Sequence, residues 1–217
     1  MTDLVVLAAA PAWPQDIPEA VLSWERELSG KVINLDVSSD GQCVAVTTTT
    51  GIALLRTNNE LVWERPFLNQ WMAASINTPV ERRPVAVAPR CRWVAVAGAS
   101  NYRYVWLFGV HGQARAHIAT PGTPEALAIS HRGDVLAIGT AAGHLLFVNP
   151  RGVVQRDVTL SDRLPVLDIF DRLQCSPDDV LLLTTWAGGT TALFTRQGEP
   201  IWTRQLMYWM TTEVSYE

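Results

Sequence analysis

Residues 125–160 decide the fold, and they read EALAIS-HRGD-VLAIGT-AAGH-LLFVN-PRG-VVQRDVTL. Four short apolar stretches alternate here with three turns that each contain a glycine. Glycine accepts a positive φ, and Asp can hydrogen-bond its own backbone, so these turns favour tight hairpins. Three hairpin signals in succession predict a four-stranded antiparallel meander.

The same phrase recurs along the chain. Its second strand is marked by an apolar triplet: VAV at 44–46, VAV at 94–96, LAI at 136–138 and LLL at 181–183. A repeat of about 40 residues made of four short strands is typical of a β-propeller blade. Because one blade cannot bury both of its faces alone, the copies are expected to stack around an axis.

The sequence therefore predicts an all-β, single-domain protein over residues 1–217, a β-propeller of four-stranded antiparallel blades. The four full repeats are assigned to residues 31–68, 84–119, 124–160 and 164–206. Residues 1–30 are expected to supply N-terminal strands, including a ring-closing outer strand within 20–28, and residues 207–217 a tail strand. Together these two ends would build a composite blade, giving about five blades.

Whether the ring closes stays open at this point. A closed ring is the preferred expectation, because an open one exposes apolar edges that proteins normally cover. The alternative is a partial ring that another chain or further sequence completes.

Tryptophan marks the last strand of several copies. Trp24, Trp63 and Trp202 each begin a Trp-x-Arg pattern. A periodic large ring favours packing between neighbouring blades over a stacking surface for a ligand.

Composition and charge argue against several classes of partner. Among 217 residues, 48% are hydrophobic, the net charge is −4 and the isoelectric point is about 5.6. No global basic field favours a nucleic-acid partner, and we interpret Arg82, Arg83, Arg90 and Arg92 as a solvated face. Nucleic-acid binding through this Arg82 to Arg92 region is kept as a third and weaker alternative. No apolar run approaches the roughly 20 residues that span a bilayer, so no membrane partner is expected.

The cysteines and the N-terminus predict a cytoplasmic location. Cys43, Cys91 and Cys175 are odd in number and lack CxxC spacing, so we expect buried free thiols and a reducing compartment. The apolar run at 4–10 follows Met1-Thr2-Asp3, which lacks the positive charge of a signal peptide.

No residue pattern predicts catalysis, a metal site or a cofactor. The four histidines are isolated, and no spacing fits zinc or calcium ligation. Asp36 and Asp168 fall on first strands, which line the channel of a propeller. Each carboxylate could face a ligand, but a hydrogen bond to the backbone of a neighbouring blade is the favoured interpretation.

The repeats resemble those of the WD40-like and quinoprotein-like (pyrroloquinoline-type) propellers over about residues 20–210. The turns SSDG at 38–41 and SPDD at 176–179 resemble the WD40 turn, although the Trp-Asp and Gly-His dipeptides are absent. The run GIALL at 51–55 through Trp63, and Gly198 followed by Trp202, resemble the quinoprotein-like repeat. The adjacent cysteines and carboxylate metal site of a quinone-dependent dehydrogenase are not visible, so the resemblance implies the fold without an enzyme activity.

The predicted function is that of a non-enzymatic interaction module, a scaffold or subunit of a cytoplasmic complex. Aromatic, amide and Arg residues on loops of one face are the candidate partner-binding residues: Trp71, Met72, Asn101, Tyr102, Arg103, Trp186, Tyr208 and Trp209. The alternative is a small-ligand or substrate-binding propeller, a degenerate quinoprotein-like enzyme, that uses its central channel. Polar groups converging on the channel would favour that alternative, and an apolar channel would favour the scaffold.

If the loop face binds a protein, Trp71→Ala and Tyr102→Ala are expected to weaken the complex without unfolding the domain. Titration calorimetry against the partner and thermal unfolding of each variant measure the two effects. A loss of thermal stability as large as that of Trp63→Ala would contradict this assignment, because it would mean that the loop residues pack as core.

Overall fold

The computed structural model describes residues 24–67, 84–98, 103–160, 170–176, 178, 181–185 and 190–205. Sixteen strands in this part of the chain form four separate antiparallel sheets of four strands each. Every sheet takes its strands in chain order, as a meander of three hairpins. The predicted all-β fold class and the four repeats are confirmed.

The strands of the first two sheets, blades one and two, have the following bounds: β1 Val32–Val37, β2 Cys43–Thr48, β3 Gly51–Arg56, β4 Leu61–Pro66, β5 Val85–Val87, β6 Trp93–Ala97, β7 Tyr104–Gly109 and β8 Ala114–Ala119. A single 3₁₀ turn, Pro89–Cys91, lies between β5 and β6. Blades three and four contain the remaining strands: β9 Pro124–Ile129, β10 Leu136–Thr140, β11 His144–Val148, β12 Val154–Thr159, β13 Phe170–Cys175, β14 Leu181–Thr185, β15 Thr190–Phe194 and β16 Pro200–Gln205.

Each blade has two faces, which we call leading and trailing. The leading face points toward the preceding blade and the trailing face toward the following one. Because successive strand residues point to opposite faces, Val94 and Val96 of β6 lie on the leading face while Ala95 lies on the trailing face. The apolar triplet thus serves two inter-blade cores at once.

Three apolar clusters hold the four blades together. Trp63 and Ile52 of blade one pack with Val94 and Val96 of blade two, and equivalent clusters join blade two to three and blade three to four. The trailing residue of the triplet is alanine in blades one to three, and each of these alanines is at most 2% exposed. The small side chain lets the next sheet approach closely, and the larger leading residues of that sheet fill the space.

The hairpin turn between the third and fourth strands of each blade is restricted in conformation and in space. One residue of each turn is left-handed, with φ between 70° and 84°, and in chain order these residues are Asn59, Gly112, Gly152 and Gly198. A Cβ on Gly152 would stand 2.7 Å from Cβ of Ala116, which lies on the outer strand of the preceding blade. Glycine is therefore required there by both the backbone conformation and the close approach of the neighbouring blade.

Polar contacts between neighbouring blades supplement the apolar clusters. The backbone N–H of Arg90 donates to Oδ2 of Asp40 at 2.7 Å, and Nε1 of Trp93 donates to the carbonyl of Gly133 at 3.1 Å. Nη1 of Arg196 donates to Oδ2 of Asp134 at 3.1 Å. One such contact at each of the three inter-blade boundaries fixes the mutual orientation of the sheets.

The expectation of three free thiols is wrong. Cys43 at the start of β2 and Cys91 in the 3₁₀ turn form a disulfide with a Cα–Cα distance of 5.6 Å. Stacking of the blades brings together two residues that are 48 positions apart, a proximity that spacing alone cannot reveal. Closing a loop of that length in the unfolded chain corresponds to about 4 kcal/mol of stability in the chain-entropy model.

The predicted strand at 20–28 is not formed over its described part, since residues 24–28 have no regular secondary structure. The other components of the predicted composite blade, residues 1–23 and the tail at 207–217, lie outside the described residues. Of the predicted basic face, Arg90 and Arg92 are described and exposed, whereas Arg82 and Arg83 fall outside. Within the described residues, the chain has no helix with the length and apolar character needed to cross a bilayer.

The disulfide predicts a defined thiol count. Denatured protein purified without reductant is expected to expose one thiol to a chromogenic disulfide reagent, and reduced protein three. Cys43→Ser is expected to lower the free energy of unfolding by about 4 kcal/mol, because the cross-link is lost. The matched control, Cys175→Ser, should retain the cross-link and its stability; three thiols in the unreduced wild type would contradict the assignment.

Candidate functional site

A central cavity of about 500 Å³ lies where the first strands of all four blades converge. Equivalent apolar positions of the four blades line it: Leu35, Val85, Leu127 and Leu173. Polar side chains add to this lining, namely Asn34, Asp36, Glu125 and Gln174, which come from blades one, three and four. The channel that the repeat predicts is therefore present, and its wall combines apolar and polar groups.

Asp36 is the cavity residue with the most distinctive environment. The backbone N–H of Val87, on blade two, donates to its Oδ2 at 2.8 Å, so the favoured interpretation of this carboxylate is confirmed. Burial raises the pKa of Asp36 to about 6, although backbone hydrogen bonds from Val87 and Val37 act to lower it. The group therefore takes up a proton just below neutrality while it borders the cavity. Asp168, its predicted counterpart, lies outside the described residues.

The leading face of blade one is open at its inner strand. Leu35 is 55% exposed, whereas the three residues at the equivalent register positions, Val85, Leu127 and Leu173, are 6%, 9% and 8% exposed. Val37 is likewise 49% exposed, against 3% for its equivalent, Val87. In blades two to four the preceding blade covers the position of Leu35. At the position of Val37, Val87 is buried, while Ile129 and Cys175 are half-buried. Blade one exposes two large apolar side chains, Leu35 and Val37, to solvent.

The trailing face of blade four is open in the same way. Trp202 pairs with Leu193 as Trp63 pairs with Leu54, yet Trp202 is 38% exposed and Trp63 is 7% exposed. Trp63 packs against blade two, with its ring 6.0 Å from that of Phe108, so the predicted role in inter-blade packing is confirmed for Trp63. For Trp202 that role stays a prediction: among the described residues Arg204 is stacked over its ring at 5.8 Å, and its neighbour Ile201 is 51% exposed.

Residues 24–30 lie along blade one in a position that matches the outer strand of a preceding blade. Nε1 of Trp24 donates to the carbonyl of Thr57 at 2.8 Å, and Arg26 donates to the carbonyl and the side chain of Asn59. The equivalent contact one blade further on runs from Arg65 of β4 to the carbonyl of His111. The Trp-x-Arg pattern therefore reaches the third turn of the following blade at both places.

The predicted loop-face residues are mostly outside the described part of the chain. This applies to Trp71, Met72, Asn101, Tyr102, Trp186, Tyr208 and Trp209, so their grouping stays a prediction. Arg103 is described and exposed, and its carbonyl accepts a hydrogen bond from the backbone N–H of Thr120. Sequence reasoning missed the end-face residues, because Leu35, Val37 and Ile201 share the alternation of core positions.

In the described ranges, no group of three or more His, Cys, Asp or Glu side chains could hold a metal ion. Nδ1 of His144 lies 2.8 Å from Oδ1 of Asp157, a hydrogen-bonding distance, on adjacent strands of blade three.

Comparison with known proteins identifies the fold. No family model matches the sequence, and a search of curated proteins gave no match. Among solved structures, BamB from Moraxella catarrhalis matches with a TM-score of 0.60 and 13% identity over 83% of this chain and 50% of that one. A Kluyveromyces lactis Hsv2 whose loop 6CD is replaced by a Gly-Ser linker has the same TM-score and identity, over 87% and 58% of the two chains. The chain has a β-propeller fold.

A third propeller, Kuenenia stuttgartiensis hydrazine synthase, matches with a TM-score of 0.58 and 15% identity over 90% of this chain and 53% of that one. The present propeller thus spans about half the length of the solved structures it matches. At these identities the likeness concerns the fold, and none of the activities or assemblies of these proteins follows from it.

The raised pKa of Asp36 predicts a pH-dependent stability. Between the ordinary value of 3.8 and about 6, the folded state holds a proton that the unfolded state has released, so stability falls as pH rises through this window. Asp36→Asn keeps an oxygen for the Val87 N–H but carries no charge. Its stability relative to wild type is therefore expected to increase from the lower to the upper end of the window in urea titrations.

Asp40→Asn is the matched control for this measurement. Burial acts to raise the pKa of Asp40, but hydrogen bonds from Ser38, Arg90 and Gln42 together outweigh it, and the pKa is lowered. Asp40→Asn should therefore be less stable than wild type throughout the same window. If the difference in free energy of unfolding between Asp36→Asn and wild type does not change with pH, the raised pKa of Asp36 is contradicted.

Proposed function

We propose that this propeller is a non-enzymatic protein-interaction module that acts as a subunit of a larger assembly. The observation that carries the proposal is the exposure of large apolar side chains at both ends of the blade stack, at Leu35 and Val37 and at Ile201 and Trp202. Contiguous exposed apolar residues on a globular protein are characteristic of protein-binding surfaces. Tryptophan is also among the residues that contribute most to binding energy at interfaces.

The rigidity of the stack supports this function. The disulfide joins blade one to blade two, and polar contacts such as that from Trp93 to Gly133 join later blades. A surface held in one conformation loses little entropy when it binds, which favours affinity. The predicted loop face, with Trp71 and Tyr102, belongs to the same proposal as a second docking region.

The disulfide bears on the compartment. The cytoplasmic location is predicted from three free thiols and from an N-terminus without the positive charge of a signal peptide, and Cys43 and Cys91 are cross-linked. Structural disulfides persist in oxidising compartments and are rare in the cytosol. The disulfide therefore favours an oxidising compartment for the assembly in which this subunit works.

A second candidate function is the binding of a small polar ligand in the central cavity. It is favoured by the convergence of Asn34, Asp36, Glu125 and Gln174 on one space of about 500 Å³, which falls within the usual size range of ligand pockets. The two functions can be separated, because Val37 and Trp202 lie on the end faces and do not line the cavity.

The test uses charged substitutions on the two end faces. Tagged wild type, Val37→Lys and Trp202→Glu are incubated with native lysate, and retained proteins are quantified by mass spectrometry. We expect both variants to lose the specific partners, because a charge buried in an apolar interface costs about 2 kcal/mol or more. Val153→Lys and Val153→Glu are matched controls, since Val153 is 57% exposed on blade three, away from the end faces.

Thermal unfolding of each variant accompanies the binding assay. Surface substitutions usually change stability by about 0.5 kcal/mol or less, so all four variants should unfold close to wild type. Equal retention of partners by wild type, Val37→Lys and Trp202→Glu would contradict the proposal and leave the cavity as the better candidate.

A further inference from the structure

We propose that the partner covering both end faces is a second copy of this chain, so that two four-bladed arcs form one eight-bladed ring. The inference rests on the proposed function, because it names the occupant of the same apolar faces. Blade four of each copy would pack its trailing face on the leading face of blade one of the other.

Three packed boundaries already exist between the blades of this chain. At each of them a trailing face with a central alanine packs on a leading face with larger apolar side chains, and at the first boundary the outer strand adds Trp63. Leu35 and Val37 present the same kind of leading surface as Val85 and Val87, which are buried at such a boundary. Blade four carries Trp202 at the register position of Trp63 and Leu182 at that of the alanines, so its trailing face matches that of blade one at the outer strand alone.

Both end faces keep exposed apolar side chains, at Leu35 and Val37 on the inner strand of blade one and at Trp202 on blade four, and a second copy would cover both at once. The middle strands of blade one are already buried in a cluster with Leu28. Trp202 on blade four occupies the register position at which Trp63 packs on blade two. A two-fold axis through the centre of the ring places the Trp202 face of each copy on the Leu35 face of the other. The two contacts are equal, and the assembly closes instead of growing into a filament.

The number of blades in two copies is that of a complete ring. Four described blades in each copy give eight in the pair, which is within the range of about 4–8 found in propellers. The solved propellers that resemble this chain contain about twice the length that it covers. Two copies would thus supply as much chain as one of those propellers.

Residues 24–30 add a specific feature to this arrangement. In the structure they occupy the outer-strand place beside blade one, where β16 of a second copy would lie. Trp24-x-Arg26 and Trp202-x-Arg204 are the same pattern, so β16 can take over the contacts that Trp24 and Arg26 make with Thr57 and Asn59. Residues 24–28 pair with no strand, so the exchange breaks no ladder between strands. It does give up the packing of Leu28 on blade one and the hydrogen bonds of the Ser29 backbone with Glu64 and Thr50.

The experiment is light scattering of the purified full chain over a range from nanomolar to high micromolar concentration. We expect a mass twice 23.9 kDa at high concentration that falls to 23.9 kDa on dilution. Val37→Lys and Trp202→Glu are each expected to weaken this dimer by about a thousandfold, since each places a charge in both contacts and one such charge costs about thirtyfold. Val153→Lys and Val153→Glu should dimerise as wild type does.

A mixture of the two variants tests the head-to-tail geometry. In a mixed pair, one contact holds both substitutions and the other joins a native Trp202 face to a native Val37 face. Equimolar Val37→Lys and Trp202→Glu are therefore expected to form a dimer that neither forms alone. A mixture that stays monomeric would overturn the proposed geometry.

Two further results would overturn the inference. One is a wild type that remains monomeric at every concentration, and the other is a dimer that neither variant weakens. The exchange itself is tested by Arg26→Ala, which removes two hydrogen bonds that hold the competing segment on blade one. It should strengthen the dimer by about fivefold for each net hydrogen bond lost. If the wild type is monomeric but its end faces still retain proteins from the lysate, the dimer is refuted, and the proposed function as an interaction module still holds.

Discussion

The packing of one sheet face on the next is the interaction on which the rest of this structure depends. Each blade buries its apolar residues only through its neighbours, and alanine at the centre of the trailing face sets how close the next sheet can come. The cavity, the disulfide and the inter-blade hydrogen bonds all follow from that spacing. Cys43 and Cys91 meet because blades one and two are stacked, and Asp36 reaches Val87 for the same reason.

Much of this architecture could be predicted from the sequence, because its determinants are local. Glycine turns and alternating strands define each meander, and the predicted repeats at 31–68 and 124–160 coincide with the sheets that contain β1 to β4 and β9 to β12. What could not be predicted depends on which blades have neighbours. Trp63 and Trp202 sit in the same local pattern, and only the stack shows that one is covered and the other is not.

The candidate site was predictable in part for a related reason. Asp36 could be placed on a channel-lining strand from its position in the repeat, but its pKa depends on burial against blade two, which is a tertiary property. The disulfide was missed because an odd cysteine count and wide spacing describe the chain and say nothing of its stacking. Residues distant in sequence are brought together only by the repeat axis.

The disulfide also makes the stack mechanically asymmetric. In a linear array, where each unit contacts only its neighbours, the terminal units open first, since each is held by a single interface. Blade one is tied covalently to blade two, whereas no disulfide joins the described part of blade four to blade three. Backbone amides of β13 to β16 should consequently exchange with deuterium faster than those of β1 to β4, and reduction of the cross-link should abolish the difference.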